Sequence, residues 1–213
     1  LDITNYMISN FNIDVLIVAC NTATSAAINE LRNVFKNIIV IGTEPGIKPA
    51  IRLTKTNKIG VLATKATLKG EKYQSLVDKL SLNNELTLYE QACPGLVEQI
   101  EKGKIEDNET FAMLEKWLKP MLLEKVDTIV LGCTHYPLIS ENIKKIMGDN
   151  INLIETGSAI TRRLEELTRH IDTKSKNKSN KIYFTGDINL DVINKILKSW
   201  ENGGKIVVRN INE

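Results

Sequence analysis

Eight short apolar, β-branched runs divide this chain, and patterns of helical period fill the spaces between them. The runs lie at 14–19, 38–42, 58–63, 86–90, 127–131, 151–154, 181–185 and 205–208. Helices are predicted near 24–35, 67–80, 95–102, 108–124, 136–147, 157–169 and 189–200, and Ile3, Tyr6, Met7 and Phe11 sit at helical spacing ahead of the first run. Strands this uniformly apolar have both faces covered, and strands that alternate with helices pair in parallel. The expected class is α/β, doubly wound, with mainly parallel sheets. With 213 residues, the chain can fill one large core or two small ones.

The chain also resembles itself. Offset by 113 residues, DVLIVACNTA (14–23) lies over DTIVLGCTHY (127–136). Asp opens each segment, an apolar strand follows, and a small residue precedes a cysteine. Two related strand–loop–helix units suggest two similar lobes facing each other across a cleft that holds the site. The Gly/Pro break GTEPG (42–46) and the ETG at 155–157 are the natural crossings between them. They predict a first lobe of 1–43 plus 156–213 and a second lobe, 44–155, inserted into it.

Ligands of open parallel sheets bind outside the carboxyl ends of the strands, where Cys20 and Cys133 are expected. Asn21 and Thr22 follow one thiol, and Thr134 and His135 follow the other, each at a helix start. Orphan N–H groups there suit a carboxylate or phosphate, and the helix field is expected to lower the pKa of each thiol. His135, two residues from Cys133, could orient or deprotonate it. Cys93, in EQACPG, reads instead as a small buried hydrophobe. Two thiols on opposing lobes suit inversion of a stereocentre with an acidic hydrogen, one base removing the proton while the other delivers one to the opposite face.

Other chemistries have less support. A net charge of +2 and 5% aromatics provide neither a basic stripe nor stacking rings for nucleic acid. The Lys-rich tract 173–181 reads as a solvated loop, and no apolar run reaches the ~18–20 residues of a membrane span. Cys133 and His135 lack zinc-site spacing, His170 is the other histidine, and no metal site is expected. No Walker loop or G-x-G-x-x-G is present, and Lys65 has no phosphate cup for pyridoxal phosphate beside it. Three cysteines are too few to staple a chain of this length and fit a reducing compartment.

ACNTAT (19–24) together with GCTHYPL (132–138) resembles the glutamate racemases of the aspartate/glutamate racemase superfamily. IGTEPG (41–46), IGVLATKAT (59–67), ACPGLVE (92–98) and YFTGD (183–187) extend the similarity along nearly the whole chain. Cys-Asn-Thr alone would fit aspartate or hydantoin racemases too; Cys-Thr-His-Tyr-Pro-Leu is far more specific to the glutamate enzymes. The resemblance implies a cofactor-independent isomerase interconverting L- and D-glutamate, with Cys20 and Cys133 as bases and His135 assisting Cys133. It further implies that Asn21, Thr22, Thr64, Thr67, Thr134 and His135 contact the substrate. A bacterial cytoplasmic enzyme serving peptidoglycan and cell shape is expected, with a homodimer compatible.

The front of the chain departs from the family. The Asp-Ser-Gly strand end and the Pro-Tyr-Gly loop that open these enzymes have no counterpart here, and the uncapped first helix suggests that an upstream segment is missing. That bears on the activity of this 213-residue polypeptide rather than on its ancestry. From the residues alone, three alternatives stay open: a racemase for aspartate or another acidic substrate, a two-lobed binding protein for a small acidic ligand, and a hydrolase or isomerase using one thiol.

Overall fold

The computed structural model describes residues 1–81, 85–171, 180–198 and 206–211. Helix α1 (Asp2–Phe11) leads into strand β1 (Val15–Val18), helix α2 (Asn21–Val34) and strand β2 (Ile39–Gly42). The chain continues through α3 (Ile47–Leu53), β3 (Lys58–Ala63), α4 (Lys65–Lys69), α5 (Glu71–Ser81) and β4 (Thr87–Ala92). Then come α6 (Leu96–Glu101), α7 (Asn108–Leu123), β5 (Thr128–Gly132), a 3₁₀ turn (Tyr136–Ile139), α8 (Ser140–Met147) and β6 (Asn152–Ile154). Helix α9 (Gly157–Thr168), β7 (Asn180–Phe184), α10 (Leu190–Lys198) and β8 (Ile206–Asn210) complete it.

The fold is α/β, and every strand pair among the described residues is parallel. The principal sheet has the order β4-β3-β5-β6; β1 pairs with β2 and β7 with β8 in two-stranded sheets. The order follows from burial. β3 and β5 are apolar almost throughout and sit at the centre, with residues alternating between the two faces. Leu62, Ile129 and Leu131 enter one core with Leu114, Leu118, Tyr136 and Ile139. Ile59, Val61 and Val130 enter another with Ile47, Ala50 and Tyr73.

The internal repeat extends to register. Val15 pairs with Ile39 as Thr128 pairs with Asn152, the same 113-residue offset on both strands. The Ile39 N–H donates to the Asp14 carbonyl at 3.0 Å, and the Asn152 N–H donates to the Asp127 carbonyl at 3.0 Å. After Gly42 the chain crosses to α3, which packs on β5 and β6; after Ile154 it returns through α9, which packs on β2.

Four helix expectations need correction, the first being that over 136–147, which opens as the 3₁₀ turn Tyr136–Ile139 before α8. Helix α3 lies where no helix was expected; Pro49 falls in its first turn, where no N–H is needed. The single helix expected over 67–80 is two, separated at Gly70. The helix after Cys20 begins at Asn21 rather than residue 24, since the polar residues there form its first turn instead of a loop. The Lys-rich tract lies outside the described residues up to 179, with Asn180 and Lys181 in β7. Among the described residues, no helix is long and apolar enough to cross a membrane.

Candidate active site

Cys20 is the extended residue between β1 and α2, exposed and making no capping bond with its side chain. Thr24, one turn into α2, ties the loop down: its hydroxyl donates to the Val18 carbonyl at 3.0 Å and accepts from the Thr43 N–H at 3.1 Å. Asn21 beside the thiol is 4% exposed, yet neither its amide nitrogen nor its oxygen has a partner among the described residues. Buried side-chain amides are nearly always paired, which makes Asn21 a candidate for contact with a ligand.

Cys133 occupies the equivalent place after β5 and is 7% exposed. Ala63 pairs with Gly132 across β3 and β5, so Thr64 and Cys133 leave neighbouring strand ends side by side. Only glycine fits at 132, where a Cβ would lie 2.9 Å from the Ala63 Cβ and from the Leu62 carbonyl oxygen. Thr64 caps α4, accepting from the Thr67 N–H at 3.1 Å. Its hydroxyl is 2.8 Å from that of Thr22 and 3.0 Å from that of Thr67, and Thr22 and Thr67 are 3.1 Å apart. This hydroxyl triangle joins the Cys20 loop to the strand end beside Cys133. Charge on Cys20 works against charge on Cys133.

His135 Nδ1 lies 3.8 Å from the Cys133 sulfur, and its Nε2 lies 3.1 Å from Glu101 Oε1. A carboxylate accepts, so the matching tautomer has its hydrogen on Nε2 and its Nδ1 lone pair facing the thiol. Glu101, at the end of α6, was not singled out in the sequence. It stands 34 residues from His135 as one acid among many, and only the packing of α6 on the 3₁₀ turn brings them together. Both residues line a cavity of about 590 Å³ whose far wall includes Asp187 and Val192.

The expected lowering of the thiol pKa is reversed at Cys133. Burial pushes it above its ordinary value; the N–H groups of His135 and Tyr136 pull it down, and Cys20 and Glu101 push it further up. Burial outweighs the backbone field because the thiol is enclosed by the core around Tyr136 and Ile139. Cys93 is buried in that same core, its sulfur 3.5 Å from the Gln91 carbonyl, and burial raises it to about 12. Thr134 is exposed at the loop, and Lys65 is exposed at the first position of α4. Among the described residues, no three His, Cys, Asp or Glu side chains converge as metal ligands.

The Asp/Glu/hydantoin racemase family model matches residues 6–164. The glutamate racemase of Aliarcobacter butzleri is 58% identical over 199 residues, 93% of this chain and 76% of the relative. That of Sulfurovum is 54% identical over 213 residues, the whole of this chain and 80% of the relative. Among solved structures, Escherichia coli glutamate racemase in complex with L-glutamate and the activator UDP-MurNAc-ala superposes with a TM-score of 0.80 at 29% identity, covering 97% of this chain and 77% of that one. The RacE1 isoform from Bacillus anthracis superposes with a TM-score of 0.75, also at 29% identity, over 98% of this chain and 77% of that one.

Proposed function

The chain belongs to the Asp/Glu/hydantoin racemase family, and from that membership we propose that it interconverts L- and D-glutamate with Cys20 and Cys133 as its two bases. The observation that carries the residue assignment is the repeat. Equivalent strand ends in matched registers present one thiol each, linked by the hydroxyl triangle of Thr22, Thr64 and Thr67. The cleft lies between a lobe of 1–43 with 156–213 and a lobe of 44–155.

In one direction, the Cys20 thiolate takes the α-hydrogen as a proton. The electron pair left on the α-carbon then takes the Cys133 proton on the opposite face, leaving Cys133 as thiolate. Burial favours the thiol form of Cys133, which suits a donor. In the reverse direction Cys133 must give up its proton first, and His135 Nδ1, backed by Glu101, is placed to accept it. The unpaired Asn21 amide and the hydroxyls of Thr22, Thr64, Thr67 and Thr134 would hold the amino acid's ammonium and carboxylates. Neither proton transfer calls for a cofactor or metal. This reading fits a cytoplasmic enzyme that supplies D-glutamate to peptidoglycan.

Heavy water tests this reading. The newly formed enantiomer should contain deuterium at the α-carbon from the earliest time points, while recovered starting enantiomer stays largely unlabelled. Unlabelled product in quantity would mean that one base serves both faces and would overturn the two-thiol assignment.

A further inference from the structure

Gly70 stands between α4 and α5 with φ −69° and ψ 134°, a conformation open to any L-residue. Its backbone therefore gives no reason for glycine. Space does: a Cβ at this position would lie 2.0 Å from the Ser25 hydroxyl oxygen, 3.1 Å from the Ser25 Cβ and 3.3 Å from the Thr67 carbonyl oxygen. Ser25 is on α2, the helix that begins directly after Cys20, three residues on from Thr22. Gly70 is likewise three residues on from Thr67. Thr22 and Ser25, three apart, share one face of α2, and that face meets the α4–α5 corner at two places. Thr22 meets Thr67 hydroxyl to hydroxyl at 3.1 Å, and Ser25 meets Gly70 with no room for a methyl group.

The geometry points to Gly70 as a positioning residue: its missing side chain, seated on Ser25, sets the separation across which Cys20 and Cys133 face one substrate. This rests on the reading of the two cysteines as opposed bases. Helix α2 fixes where Cys20 sits, and the α4–α5 corner follows the strand neighbouring that of Cys133, so any wedge between them widens the gap between the thiols. The hydroxyl triangle alone cannot hold the gap, because hydroxyls rotate and can reform bonds over a slightly larger spacing. The approach at Gly70 has less freedom, because behind the rotatable Ser25 hydroxyl lie the Ser25 Cβ at 3.1 Å and the Thr67 carbonyl oxygen at 3.3 Å.

A widened gap has its own chemical signature. The first base can still remove the α-hydrogen, but the second no longer reaches the opposite face. The carbanion is then reprotonated by the first thiol after that thiol has exchanged with solvent. Exchange without inversion rises relative to inversion, and this ratio does not depend on how much protein is folded. In heavy water, Gly70→Val, branched at the clashing atom, should raise the deuterium in recovered starting enantiomer per inversion by about tenfold, since an ångström of misplacement costs up to about a hundredfold. Gly70→Ala should raise it less, because the Ser25 hydroxyl can rotate away. Gly70→Val/Ser25→Gly should return the ratio toward that of the parent, and Ser25→Gly alone should leave it there. An unchanged ratio in Gly70→Val, or no recovery in the double variant, overturns the inference. Cys20→Ser and Cys133→Ser measured alongside separate the two ideas: if either still racemises at the parent rate, the two-base reading fails; if both are dead while the Gly70 ratio is flat, only the spacing inference fails.

Discussion

The two cysteine loops begin from one plan and end in different surroundings. β1 and β5 start after an aspartate, pair in parallel with the next strand at the same register, and end in a thiol. Around β5, neighbouring strands on both sides and cores on both faces leave Cys133 enclosed, with a histidine and a glutamate behind it. β1 pairs with β2 alone among the described residues, its Ile17 is 37% exposed, and Cys20 is open to solvent. Across the described residues the repeat supplies the position of each thiol, and what surrounds Cys133 supplies its chemistry. A thiol held neutral by burial needs a base at hand to be deprotonated, and His135 and Glu101 are found at Cys133.

The largest effect breaks both halves of the comparison. Cys20→Ser and Cys133→Ser should each lower turnover by at least about 10²–10⁴-fold, the range that general acid–base catalysis contributes, because a hydroxyl is too weak an acid to replace either thiol. Cys93→Ser is the control: buried behind the strand ends, it should keep turnover while costing about 1–3 kcal/mol in a denaturant melt, the usual result of an unsatisfied buried hydroxyl. Equal loss of turnover from all three with folding intact would dissolve the pairing of Cys20 with Cys133.

A smaller effect tests whether the loops differ in kind. Glu101→Gln removes the negative partner of His135 without changing its shape. It should slow the direction in which Cys133 is the base more than the direction in which it is the acid, by about 10-fold to 100-fold. At equilibrium both directions must balance, so the asymmetry appears in single-turnover proton abstraction from each enantiomer. Equal slowing of both abstractions would reduce Glu101 to a surface partner of His135.

Most of the scaffold was legible because burial is written in composition. Each of the eight strands falls within two residues of its apolar run: β3 and β5, covered on both faces, are apolar almost throughout, and more exposed strands such as β4 and β7 still hold enough apolar residues to stand out. The thiols, their polar followers and the repeat were legible for the same reason: they sit at fixed offsets from those runs. What the sequence hid depends on distance in space. Glu101 meets His135 only through the packing of α6, and the close approach of Gly70 to Ser25 joins segments far apart in the chain. The sign of the Cys133 shift was misjudged because the helix end is local and visible, whereas the enclosing core is assembled from four separate segments.

The smallest effect concerns the aspartates that open the two units. Asp127 binds the loop before β3: its carboxylate accepts from the Thr54 hydroxyl at 2.6 Å, the Lys55 N–H at 2.7 Å and the Thr56 N–H at 3.0 Å, with Thr128 at 3.0 Å. Burial works to raise its pKa, but these four donors outweigh it and hold the carboxyl below its usual range. No hydrogen bond reaches the Asp14 carboxylate among the described residues, so the repeat keeps the residue type without the loop it serves. A carboxyl whose pKa is lower folded than unfolded adds stability above its unfolded value and loses it as the pH falls through the folded one. Asp127→Asn should therefore cost about 1 kcal/mol near neutral pH, a modest figure because the group is partly solvated. The cost should shrink as the pH falls below about 4, where the parent's own carboxyl begins to protonate. Asp14→Asn should stay within about 0.5 kcal/mol at every pH, as surface substitutions usually do. Urea melts of the two variants between pH 3 and 7 check this: equal, pH-independent losses would show that the loop before β3 does not depend on the Asp127 charge, and that the two aspartates remain equivalent after all.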